Sequence, residues 1–103
     1  MIATELKEQL AAIRNTHQVI GGKWKIKIVA ALMQGDKTFG QLGSEVEGIS
    51  AKMLSQSLKQ MHSNGLITHT VASSRRTSIA YQLTDFGHTL QPFVCAIAQW
   101  NKE

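Results

Sequence analysis

Residues 48–65 read GISAKMLSQSLKQMHSNG, and this stretch decides the fold. Its hydrophobic period is helical and both of its ends are marked. Ser50 offers a hydroxyl that can cap the N-terminus. Ile49 just before it and Leu54 four residues after it have the spacing of a hydrophobic staple. Gly65 supplies the permissive backbone on which a helix ends. Leu54, Leu58 and Met61 fall on one side and predict an inward face. Lys52, Ser55, Gln56, Lys59 and Ser63 fall on the other, with no acidic residue among them. Cations suit phosphates, and amide and hydroxyl groups suit base edges. That side therefore has the chemistry of a helix lying in a DNA major groove.

The neighbouring segments give this helix a context. Upstream, Thr38-Phe39-Gly40-Gln41 has the spacing of a capping box. It predicts a short helix with Phe39, Leu42 and Val46 as core residues. Gly40 and Gly43 lower its intrinsic propensity, so it must rely on packing. Glu47-Gly48 turns the chain into the next helix, and the pair forms a helix-turn-helix. Before it, residues 23–34 predict a helix with Trp24, Ile28, Val29 and Leu32 inward. Gly21-Gly22 interrupts the chain. Residues 4–19 predict an N-terminal helix with Leu6, Leu10 and Ile13 on one stripe.

Downstream of Gly65 the period changes from helical to alternating. Residues 66–83 predict two β-branched strands around the polar tip Ala72–Thr77, which contains Arg75-Arg76. A hairpin directly after a helix-turn-helix is a wing. Thr84 then caps a last helix, 84–101, carrying Phe86, Leu90, Phe93, Val94, Ile97 and Trp100. The expected fold is mainly α with a small β-hairpin wing. It is one winged helix-turn-helix domain over residues 1–103, with its core at 23–65 and dimerisation helices at both ends. The terminal stripes exceed what a small trihelical core needs, which is the reason to expect a homodimer.

The chain has 103 residues, 43% of them hydrophobic, enough for one core. It carries 11 Lys and Arg against 7 Asp and Glu, a net charge of +4. The excess is localised. Residues 23–76 hold Lys23, Lys25, Lys27, Lys37, Lys52, Lys59, Arg75 and Arg76 against Asp36, Glu45 and Glu47. A basic patch there suits a polyanion. Lys52, Ser55, Gln56, Lys59, Arg75 and Arg76 are the candidate DNA contacts. Among them Gln56 suits adenine, while Lys52 or Lys59 suits phosphate or guanine. Lys23, Lys25 and Lys27 have two readings, a phosphate contact or stems laid over Trp24.

Other classes find less support. No nucleophile elbow, phosphate-binding glycine loop or paired apolar carboxylates appear, so no enzyme is expected. His17, His62, His69 and His88 lack common metal-ligand spacings and read as surface or boundary residues, with no cofactor implied. Cys95 lies on the last apolar stripe and reads as a small buried hydrophobe. Tyr81 and Trp100 read as packing residues, with a pocket for an unidentified small-molecule effector as the other reading. The polar N-terminus shows no secretory signal and the apolar runs are too short to span a membrane. One cysteine fits a reducing cytoplasm. A second function keeps the fold but turns the basic face toward an acidic protein partner. RNA is a weaker candidate, for want of an aromatic stacking platform.

In order and spacing, a set of landmarks resembles the HxlR-type winged helix-turn-helix transcription regulators. They are Ile20-Gly21-Gly22-Lys23-Trp24-Lys25, Phe39 with Leu42, and Gly48-Ile49-Ser50 with Lys52-Met53-Leu54. Asn64-Gly65-Leu66-Ile67, Tyr81-Gln82-Leu83-Thr84 with Gly87 and Leu90, Pro92 and Trp100 follow. The resemblance implies a dimeric bacterial DNA-binding protein whose terminal helices join the subunits and whose Ser50 helix is the recognition helix. Many relatives carry a cysteine in the N-terminal helix, and some use it to sense oxidants. Here the same neighbourhood is Leu10-Ala11-Ala12-Ile13, without a thiol. Gln41 stands where relatives usually have an acidic residue, and the wing tip lacks their prolines.

Overall fold

Three hydroxyl side chains set where three of the helices begin. Thr38 Oγ1 accepts from the Gln41 amide at 3.2 Å, and Gln41 Oε1 accepts from the Thr38 amide at 2.8 Å, closing the capping box. Ser50 Oγ accepts from the Met53 amide at 3.1 Å. Thr84 Oγ1 accepts from the Gly87 amide at 3.0 Å. Each satisfies a backbone donor that would otherwise be orphaned in the first turn.

The computed structural model describes residues 2–71 and 79–102. In chain order the elements are α1 (Ile2–Ile20), α2 (Lys25–Leu32), β1 (Lys37–Thr38), α3 (Phe39–Glu45) and α4 (Ala51–Ser63). Then come β2 (Ile67–Val71), β3 (Ile79–Leu83), α5 (Asp85–His88) and α6 (Gln91–Lys102). The fold is a winged helix-turn-helix: mostly helical, with a small antiparallel sheet of order β1-β3-β2. Helices α3 and α4 are the helix-turn-helix pair, and β2–β3 is the wing hairpin.

The core is built from the inward stripes. Ile28, Val29 and Leu32 of α2, Leu42 of α3, and Leu54, Leu58 and Met61 of α4 are buried together. Leu66 and Ile67 at the start of the hairpin and Leu83 at its end close the same core. Helix α4 stops in a Schellman arrangement. Gly65 takes φ +77°, Leu66 N–H donates to Met61 O at 2.9 Å, and Gly65 N–H donates to His62 O at 3.0 Å. This closure drives Leu66 and Met61 into the core together.

The structure corrects several expectations. Lys37–Thr38, of which the sequence assigns a structural role only to Thr38, as a helix cap, also forms β1 and pairs with Tyr81 and Ala80 of β3. Phe39 is not a core residue: it is 37% exposed, while Leu42 and Val46 carry the burial of α3. Trp24 caps α2 without a side-chain hydrogen bond and is half-buried against the core.

The single helix expected over 84–101 is two, α5 and α6. Thr89 N–H donates to Phe86 O, and Leu90 N–H to Gly87 O, both at 3.1 Å, so the chain tightens into three-residue spacing. Pro92 then sits in the first turn of α6, where its missing N–H costs nothing, and cannot continue the ladder from α5. Cys95, expected to be buried, is exposed. Val94 supplies the buried position, and the next residue lies about 100° around the helix from it.

The particle is elongated, 59 × 31 × 23 Å, with a radius of gyration of 15.5 Å. A compact globule of this length would have about 13 Å. Most of α1 accounts for the difference: the side chains of residues 4–18 are all exposed.

Candidate nucleic-acid interface

Burial of one side of α4 orients the other. Leu54, Leu58 and Met61 are each no more than 3% exposed. At about 100° per residue, Lys52, Ser55, Gln56, Lys59 and Ser63 share an arc on the opposite side. All five are exposed. The four sequence candidates on this helix thus stand together on one outward face. Arg75 and Arg76 lie outside the described residues.

The hairpin diverges from α4 as it leaves the core. Ile67 and Leu83 are register partners, both buried. His69 and Tyr81 are the next partners on the same face of the sheet. They border an open cleft of about 420 Å³ whose other wall is Ser55, Leu58, Lys59, His62 and Ser63 of α4. The His62 and His69 ring centroids are 5.3 Å apart, and those of His69 and Tyr81 are 6.0 Å apart. Sequence reasoning placed His62 and His69 at the surface, where they are. It missed their convergence, because one is on a helix and the other on a strand.

The three lysines before and within α2 separate into two groups. Lys23 and Lys27 place their Nζ atoms 4.9 and 5.1 Å from the Trp24 ring centroid, a cation–π cover. Lys25 instead borders a second hollow of about 380 Å³, with Lys59, Gln60, Ser63 and Asn64 from the end of α4. Lys59 stands between the two hollows. The ion pair found among the described residues, Lys37–Glu45 at 3.0 Å, involves none of the α4 lysines.

A second surface has the opposite character. Leu6, Leu10 and Ile13 of α1 are 51–63% exposed, and Phe93 and Trp100 of α6 are 44% and 75% exposed. Between them and α2 runs an open apolar groove of about 460 Å³, bordered by Ala12, Ile13, Ile20, Ile26, Phe93 and Ile97. A contiguous exposed apolar surface is the kind of feature that suits an interaction site. Trp100 lies at the exposed end of this surface and Tyr81 in the α4–hairpin cleft, so the two do not share a pocket. No helix among the described residues is long and apolar enough to cross a membrane.

A family model described as HxlR-like helix-turn-helix matches residues 19–103. The chain is 33% identical to YkvN of Bacillus subtilis, over 82% of this chain and 72% of that one. It is 30% identical to YtcD of the same organism, over 93% and 76%. Both carry the description uncharacterized HTH-type transcriptional regulator. Among solved structures, the oxidized form of the redox regulator HypR superposes with a TM-score of 0.83 at 30% identity. That match covers 88% of this chain and 94% of HypR.

Proposed function

We propose, from the premise that this chain belongs to the HxlR-like helix-turn-helix family, that it is a sequence-specific DNA-binding regulator acting as a homodimer on an inverted repeat. The observation that carries the reading is the exposed, acid-free face of α4, held outward by its own buried stripe. Lys52, Ser55, Gln56 and Lys59 meet the major groove, and Arg75 and Arg76 reach phosphates or the minor groove from the wing. The exposed apolar side of α1 and α6 supports the dimer. A second copy covers it, and the two recognition helices then meet successive grooves about 34 Å apart. Such a protein works in the cytoplasm, where a bacterial chromosome is.

Selection of bound sequences from a random duplex pool tests this reading, since it reports specificity, symmetry and half-site spacing together. An inverted repeat is the expected result. Salt-titrated anisotropy with random duplex is the second test. Absence of salt-sensitive binding even in dilute salt would overturn the reading and turn the basic face toward an acidic protein partner.

Two substitutions separate base contacts from phosphate contacts. Gln56→Ala is expected to cost about 1–3 kcal/mol on the selected site and to relax preference at one base position. Replacing both Arg75 and Arg76 with Ala is expected to weaken all duplexes alike and reduce the salt slope by about 2. An unchanged slope in that variant would remove the wing from the interface.

A further inference from the structure

We propose that the cleft between α4 and the β2–β3 hairpin seats a DNA backbone phosphate, with His62 and His69 as its proton-dependent donors. The proposal rests on the DNA-binding reading above. Ser55, Lys59 and Ser63 belong both to the outward face of α4 and to the wall of this cleft. A helix seated in the major groove has a phosphate strand on each side. The strand on the hairpin side falls at this cleft.

The chemistry of the walls suits an anion. Ser55 and Ser63 bring hydroxyls, Tyr81 a phenol, Lys59 an ammonium, and His62 and His69 imidazoles, above an apolar floor at Leu58. No carboxylate lines it among the described residues. The charged groups facing the two histidines come from α4 and the sheet. Lys59 is the cation on α4. On β1, Lys37 is the register partner of Tyr81 and shares its face, but Glu45 at 3.0 Å neutralises it.

A neutral imidazole offers one N–H donor, and an imidazolium offers two and a positive charge. Histidine side chains change charge between about pH 5 and 8. With ring centroids 5.3 Å apart, two imidazolium rings repel each other unless an anion lies against them. A phosphodiester supplies that anion. Proton uptake and phosphate binding are then linked: each favours the other. On this geometry, affinity for duplex is expected to be higher at low pH than at high pH.

The experiment is anisotropy of the full chain with a labelled random-sequence duplex, at constant ionic strength from pH 5.5 to 8.0. Expected is a gain in affinity of about tenfold toward pH 5.5 at 0.1 M salt, with a salt slope steeper by about 1. In the double variant H62Q/H69Q this gradient should vanish, whereas H88Q, altered at an exposed position of α5, should retain it. H62K/H69K should bind tightly at every pH, a result that a purely structural role for the histidines would not give. Both side chains are exposed, so these changes leave the core intact. A gradient that persists in H62Q/H69Q overturns the phosphate seat while leaving DNA binding in place. No salt-sensitive binding at any pH overturns the DNA reading itself.

Discussion

Gly87→Ala is expected to destabilise the protein by about 3 kcal/mol, more than any surface change. Gly87 is buried at the start of α5. A Cβ built there meets the Leu66 carbonyl oxygen inside van der Waals contact, and lies 3.1 Å from Leu83 Cδ2. The obstacle is backbone, which cannot step aside as a flexible side chain does. Nor can Leu66 shift freely. Its carbonyl accepts from the Thr84 amide at 3.0 Å, and Thr84 Oγ1 donates to Gly65 O at 2.6 Å with Leu66 O at 3.2 Å as a second acceptor. Leu66 N–H is held by Met61 O in the closure of α4. The joint therefore ties the end of α4 to the start of the C-terminal helices. Urea unfolding at fixed protein concentration measures the effect, and thermal unfolding should shift down by roughly 10–20 °C. A loss below about 0.5 kcal/mol would mean that the joint gives way without cost.

The double variant Leu10→Asp, Trp100→Asp is expected to be monomeric and to lose operator affinity by about 10²–10⁴-fold. Both side chains are more than half exposed in the single chain, at 51% and 75%. Charging them costs the core little but makes the apolar face unfit to meet its own copy. The side chains of residues 4–18 of α1 are all exposed in the single chain, and the proposed dimer would cover their apolar stripe. The loss of affinity follows from effective concentration: once one half-site is bound, the second helix of a dimer is delivered locally. Sedimentation reports the mass, and anisotropy on the selected inverted repeat reports the affinity. A variant that remains dimeric would place the subunit contact elsewhere. A parent protein that is itself monomeric would remove the inverted-repeat reading.

Much of the fold was legible because its signals are local. A cap and the amide it satisfies lie three residues apart, as at Thr38 with Gln41, Ser50 with Met53 and Thr84 with Gly87. The inward stripe of α4 was legible for the same reason, and its outward face followed by subtraction. The break between α5 and α6 also had a local signal in Pro92, which the continuous apolar stripe from Phe86 to Trp100 obscured. Cys95 was misplaced because membership of a broad stripe does not say which residue of it meets the core.

The sequence alone determined the order of the first four helices, the helix-turn-helix, the position of the hairpin strands and the chemistry of the α4 face, since each depends on residues within about one turn or one strand of each other. Only the tertiary structure decided that Lys37–Thr38 is a strand and that Lys25, not Lys23 or Lys27, stands beside Lys59. It alone brought His62 to His69 and set Gly87 against Leu66. Those relations depend on how whole elements pack across long sequence separations, and packing is governed by shape and burial that no short window of residues contains.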